Sequence, residues 1–193
     1  MDIFSPLTLG ALTLRNRIIM APMTRSRADA DAVPTDIMVD YYRQRASAGL
    51  IISEGIAPSA DGLGYCRTPG IYNPRQIEAW SRITSAVHAE GGSIVAQIMH
   101  VGRVANALNK PAGSETVAPS ALQARGEIYT DQGGMQAFDQ PRALQLEEIP
   151  AVLEQYRSAT ENAFAAGFDG VELHCTSGYL PAQFLSTGSN KRD

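Results

Sequence analysis

The sequence predicts a parallel α/β fold, on three observations. First, four short apolar runs are rich in Ile, Val and Leu without clean alternation: 17–22 (RIIMAP), 50–55 (LIISEG), 93–100 (SIVAQIMH) and 170–174 (GVELH). Strands covered on both faces read this way. Second, the segments between them carry apolar residues at helical spacing. Third, the order is β, α, β, α, β, a long connection, α, β. Parallel strands joined by helices form right-handed βαβ units.

The elements follow in chain order. Leu7-Thr8-Leu9 and Leu12-Thr13-Leu14 flank Gly10-Ala11, which reads as an N-terminal hairpin with Gly first in a two-residue turn. Thr35 is placed to cap a helix whose apolar face is Ile37, Met38, Tyr41 and Tyr42, with Gly49 as its stop. A second helix carries Ile77, Trp80, Ile83 and Val87 and meets Gly91-Gly92. A third buries Ile149, Val152, Leu153, Tyr156, Ala163 and Phe164 and ends at Gly167; Pro150 suits its first turn. The Gly/Pro-rich stretch 101–144 is a long loop after the third strand. Loops of that length in a compact domain are usually functional or disordered. It reads as an excursion above the strand ends, with a hairpin around Gly133-Gly134. No repeat of solenoid period is present.

Composition narrows the class. The 193 residues suffice for one domain with a core, and 44% apolar against 19% charged residues is an ordinary globular balance. A net charge of −4 without a basic run argues against nucleic acid or an anionic membrane as partner. Cys66 and Cys175 are too few for a disulfide framework and lack metal-ligand spacing, so no metal is expected. The start, MDIFSPLTLG, lacks the pattern of a signal peptide, and no apolar run approaches a membrane span. A cytoplasmic protein is expected.

Parallel α/β proteins bind ligands at the C-terminal ends of their strands. The residues there are 21–25 (APMTR), 53–55 (SEG), 97–103 (QIMHVGR) and 174–179 (HCTSGY). Taken singly, each polar group also fits a plainer role as a helix cap or a satisfied loop group. Gln97 is the sharpest of them, because an amide near the end of an apolar strand needs a partner if buried.

Taken together, APMTR, LIISEG, QIMHVGR and GVELH…GYLPAQFLS…SNKR resemble the Old Yellow Enzyme family of flavin ene-reductases. YYRQRASAGLIISEG and PRALQLEEIP are similar to its bacterial N-ethylmaleimide reductase-like members. The likeness runs from Ser5 to Asp193 in the family's order and spacing. It implies a (β/α)8 TIM barrel that holds FMN without a covalent bond. It also implies NAD(P)H as reductant and a small activated alkene as substrate: an α,β-unsaturated carbonyl, a maleimide or a nitroalkene. By the same resemblance Pro22, Met23 and Thr24 line the flavin ring, Gly55 lets the backbone approach it, and Gln97 meets its pyrimidine edge, with His174 bordering it. His174 and the residue three further on, Ser177, donate to the substrate's carbonyl or nitro oxygen, where charge grows in the transition state. Tyr179 matches the proton donor, since a phenol keeps its proton at neutral pH.

Three departures stand out. The family pattern is His-x-x-Asn or His-x-x-His, and Ser177 offers a shorter donor, so a weaker oxyanion clamp is expected. Met99 stands where many relatives have Trp, which predicts a roomier pocket. Finally, a whole barrel needs about 250 residues or more, and this chain stops inside a family motif. The expectation is that residues 1–193 are the N-terminal half of a single FMN-binding barrel domain, contributing about four strands. A complementary C-terminal half-barrel chain or a second copy would complete it. The alternative is a half-barrel fragment or binding module without independent flavin binding or catalysis.

Overall fold

The computed structural model describes residues 2–192; Met1 and Asp193, the two ends of the expected 1–193 unit, lie outside the described residues. The N-terminal hairpin forms as expected. Strands β1 (Leu7–Leu9) and β2 (Leu12–Leu14) pair antiparallel, with Gly10 at φ +58° in the turn. Leu14 packs with Leu50 and Val95, so the hairpin closes the N-terminal end of the main sheet.

That sheet has four parallel strands: β3 (Ile19–Met20), β4 (Leu50–Ile56), β5 (Ile94–Ile98) and β10 (Val171–Leu173), in spatial order β10-β5-β4-β3. Helices α1 (Asp36–Arg43), α2 (Pro74–Ala89) and α3 (Ile149–Ala165) connect them, and a short α4 (Leu180–Leu185) follows β10. The βαβ order is as predicted. The largest core cluster lies between sheet and helices and includes Tyr42, Ile51, Ile56, Trp80, Ile83, Ile94 and Phe168. The Trp80 ring sits 6.0 Å from that of Tyr42 and 5.2 Å from that of Phe168.

The stretch 101–144 is more ordered than a loop. It holds a parallel pair, β6 (Val117–Ala118) with β9 (Arg142–Ala143), and the expected hairpin, β7 (Glu127–Thr130) with β8 (Gly134–Ala137).

Several expectations fail locally. Thr35 occupies the cap position of α1, but its hydroxyl donates to the Arg27 carbonyl at 2.6 Å and not into the helix. Gly49 does not stop α1, which ends at Arg43. Gly49 instead opens β4, where a Cβ would stand 2.0 Å from the Asn16 carbonyl oxygen. On α3 the buried residues are Ala159 and Ala163, while Leu153 and Phe164 are exposed. Those two lie about three turns apart, on one stripe that nothing in the described residues covers. Coverage on both faces holds for β5 and most of β4. It fails for β3 and β10, each of which has one strand neighbour.

Candidate active site

The candidate residues gather where the chain leaves the C-terminal ends of the four parallel strands. The arrangement begins with a β-bulge. β4 and β5 pair Ile52 with Val95 and Gly55 with Gln97, three steps on one strand against two on the other. The extra residue falls at Ser53-Glu54, and the Ser53 hydroxyl accepts the Gln97 N–H at 3.0 Å. Side chains alternate along a strand, so the insertion turns Gly55 onto the face that carries Ile52, Val95 and Gln97. Without it Gly55 would face the helices.

At Gly55 a Cβ would meet the Met99 side chain, with Cε at 2.6 Å. Met99 is buried with Val101 and Ala105, flanked by Tyr65 and Tyr179. Gln97 is 6% exposed and finds the partner its burial demands: its Nε2 donates to Glu172 on β10 at 2.7 Å. One amide N–H and the carbonyl oxygen remain for a ligand edge.

His174 leaves β10 with its N–H bonded to the Ile98 carbonyl at 3.0 Å. Its Nδ1 accepts the Thr176 N–H at 3.4 Å, which puts the proton of the neutral ring on Nε2. Burial lowers its pKa, opposed by the charge of Glu172, so the ring is neutral at pH 7. The ring stands edge-on to Tyr179, 4.7 Å between centroids. The Tyr179 hydroxyl pairs with that of Tyr65 at 3.0 Å. Burial and this bond push the Tyr65 pKa up, so Tyr65 keeps its proton.

Tyr179 is held from behind. The Leu180 N–H donates to the His100 carbonyl at 3.0 Å, and Gln183 donates to Val101 and Gly178 and accepts from Arg103. These bonds join α4 to the QIMHVGR segment. Ser177 sits at φ +56°, followed by Gly178 at φ +76°, and its side chain is exposed.

Of the residues singled out in sequence, the structure links Gln97 to β10 and packs His174 against Tyr179. Pro22, Met23 and Thr24 lie on the loop after β3, with Met23 and Thr24 exposed, and no hydrogen bond joins them to the others. Sequence reasoning passed over Tyr65 and Glu172, and placed Glu54 at a strand end without giving it a role of its own. Each carried a signal: Tyr65 lies on the connection after a parallel strand, and the two acids interrupt apolar runs.

The NADH:flavin oxidoreductase / NADH oxidase family model matches residues 2–193. The chain belongs to that family. It is 42% identical over 193 residues to 12-oxophytodienoate reductase 7 of Oryza sativa subsp. japonica, covering 98% of this chain and 49% of the relative. It is 46% identical over 194 residues to a chanoclavine-I aldehyde reductase of Penicillium roqueforti (strain FM164), covering 98% and 50%. The solved Old Yellow Enzyme homologue from Zymomonas mobilis superposes with a TM-score of 0.95 at 49% identity, over 100% of this chain and 53% of that one. Morphinone reductase in complex with tetrahydroNAD gives 0.92 at 49% identity, over 100% and 54%. The family resemblance and the α/β fold of an N-terminal half-barrel are thus borne out. The chain spans about half the length of the curated relatives it matches. No helix among the described residues is long and apolar enough to cross a membrane.

Proposed function

We propose that this chain is the N-terminal half, residues 1–193, of a single FMN-binding (β/α)8 barrel domain that reduces activated alkenes with NAD(P)H. The substrates are α,β-unsaturated carbonyls, maleimides and nitroalkenes. The observation that carries the reading is the His174 ring, its Nδ1 accepting the Thr176 N–H, packed edge-on 4.7 Å from the Tyr179 ring at the C-terminal end of the sheet.

The residues present suit FMN. Gln97 offers donor and acceptor to a pyrimidine edge, and Gly55 lies on the same face, where the Met99 side chain packs against it. Pro22, Met23 and Thr24 would border the ring, and His174 its edge. Bound FMN would supply hydride chemistry, recharged by NAD(P)H. His174 and Ser177 bind the substrate's carbonyl or nitro oxygen and stabilise the charge that grows there. Tyr179 gives its phenolic proton to the α-carbon. Tyr65, which keeps its own proton, holds the Tyr179 hydroxyl in place. A reducing, cytoplasmic setting suits the free thiols of Cys66 and Cys175.

A second reading has one observation in its favour. Ile18 and Ile19 on one edge of the sheet and Leu173 on the other are exposed. On that reading the chain is a fragment or binding module without independent flavin binding, until a complementary C-terminal half or a second copy covers those edges. The visible spectrum and molar mass of the purified protein, with and without FMN, separate the two. Flavin bands at a mass that includes a second segment or copy support the reductase. A colourless species that stays colourless with FMN supports the module. In a flavin-bearing preparation, Tyr179→Phe lowers turnover of a cyclic enone by about a hundredfold while leaving the flavin bands in place. Unchanged turnover would remove Tyr179 as proton donor.

A further inference from the structure

Glu54 is a carboxylate where the fold has no evident need of one. It sits in the β4 bulge, 1% exposed. An uncompensated buried charge is costly; this one accepts hydrogen bonds from neutral donors, and the Arg25 cation acts on it only through space. Its Oε2 accepts the Arg25 N–H at 3.3 Å, and its Oε1 accepts the Tyr42 hydroxyl at 3.2 Å. The Tyr42 oxygen in turn accepts the N–H of Glu54 itself at 2.9 Å. One phenol therefore fixes both the backbone and the carboxylate of the same residue. Tyr42 is fully buried and held by Trp80, so the anchor is rigid. Among the described residues, the Arg25–Glu54 bond is the hydrogen bond that ties residues 22–25 to β4.

We propose that Glu54 and Tyr42 are a positioning pair that holds the Pro22–Arg25 loop against the end of β4, and with it the backbone that would line a flavin. The flavin part rests on the function proposed above; the anchoring does not. Burial raises the Glu54 carboxyl to about 7, while its bonds to the Arg25 N–H and the Tyr42 hydroxyl, and the charge of the Arg25 guanidinium, favour the charged form. The groups facing it are Tyr42 from α1 and Arg25 from the loop; β3 and β5 present no ionisable side chain. Above neutral pH both bonds are charge-assisted, and protonation weakens them.

The test follows exchange of the Arg25 amide by NMR and, in parallel, quenching of added FMN. It compares wild type with Glu54→Ala, Glu54→Gln and Tyr42→Phe. Glu54→Ala should speed Arg25 exchange and weaken FMN binding, each by about tenfold. Glu54→Gln restores an acceptor and recovers most of both, but its FMN affinity stays flat between about pH 6 and 8, where that of wild type rises with pH. Tyr42→Phe keeps the ring packing and should give an intermediate loss, which covers the case that Glu54→Ala does not fold. Unchanged Arg25 exchange in the variants that fold overturns the pair. Faster exchange supports it, and if wild type then fails to quench FMN, the flavin reading alone falls.

Discussion

At single residues, two features of this chain run against ordinary preference. Ser177 holds φ +56°, a left-handed conformation that costs most L-residues about 1–2 kcal/mol and that Asn tolerates better. Ser177→Asn should therefore raise stability by up to about 1 kcal/mol. Its longer amide donor should also lower the KM for a cyclic enone several-fold. Unchanged thermal unfolding would show that the backbone conformation is not strained, and an unchanged KM would leave the clamp unaffected by donor length. Glu54 is the second feature. Its folded pKa, about 7, lies above the 4.5 of an unperturbed carboxyl. A raised folded value means that the stabilising contribution is fully present below about pH 4.5 and lost as pH rises through about 7. The difference is on the order of 3 kcal/mol. Glu54→Gln carries no such titration, so its stability relative to wild type should be greater at pH 8 than at pH 4.5 by an amount of that order. Urea midpoints at the two pH values measure it, and a constant difference would show that Glu54 titrates normally.

Among elements, the bulge in β4 decides which side chains meet at the site. Its Ser53 hydroxyl replaces a ladder acceptor for the Gln97 N–H. Ser53→Ala leaves that buried donor unmatched and should cost about 1–3 kcal/mol. It should also disturb Gln97, whose amide shift in NMR reads the change directly. A loss below a few tenths of a kcal/mol would mean that the strand re-registers without the hydroxyl. The bulge also marks the limit of what the sequence discloses. LIISEG shows a buried strand because its residues are apolar, but its parity depends on pairing with β5, which no local pattern encodes. Gly49 misled for a similar reason. A glycine after a helix suggests a stop, whereas this one is required by the Asn16 carbonyl, thirty-odd residues earlier. The N-terminal hairpin, by contrast, was legible because turn and strands lie within one short segment. Gln97 stood out as an amide near the end of an apolar strand, whereas His174 and Tyr179 gained their roles only from the motifs taken together. Tyr65 and Glu172 carried weaker signals, and their roles became clear only once their partners, Tyr179 and Gln97, were brought close.

In the molecule as a whole, apolar side chains are spread over surfaces that its own core leaves uncovered. Leu153 is 64% and Phe164 55% exposed on α3, and Leu173 is 53% exposed on the edge strand β10. Helical spacing alone marks Leu153 and Phe164 as core residues, because periodicity identifies an apolar stripe and not what covers it. Edge strands with free N–H and C=O groups and neighbouring apolar side chains pair readily with other chains. The protein should therefore sediment above the 20.7 kDa of one chain. The double substitution Leu153→Lys, Phe164→Lys tests whether the α3 stripe is part of the contact. Both residues are exposed, so the charges cost the fold little, but they are unfavourable in a buried interface. A shift toward one-chain mass, with the far-ultraviolet spectrum retained, places the contact on α3. An unchanged mass moves it to the strand edges. A wild-type chain that is monomeric at micromolar concentration would mean that these surfaces are tolerated in water, and the case for a covering partner would lose its physical basis.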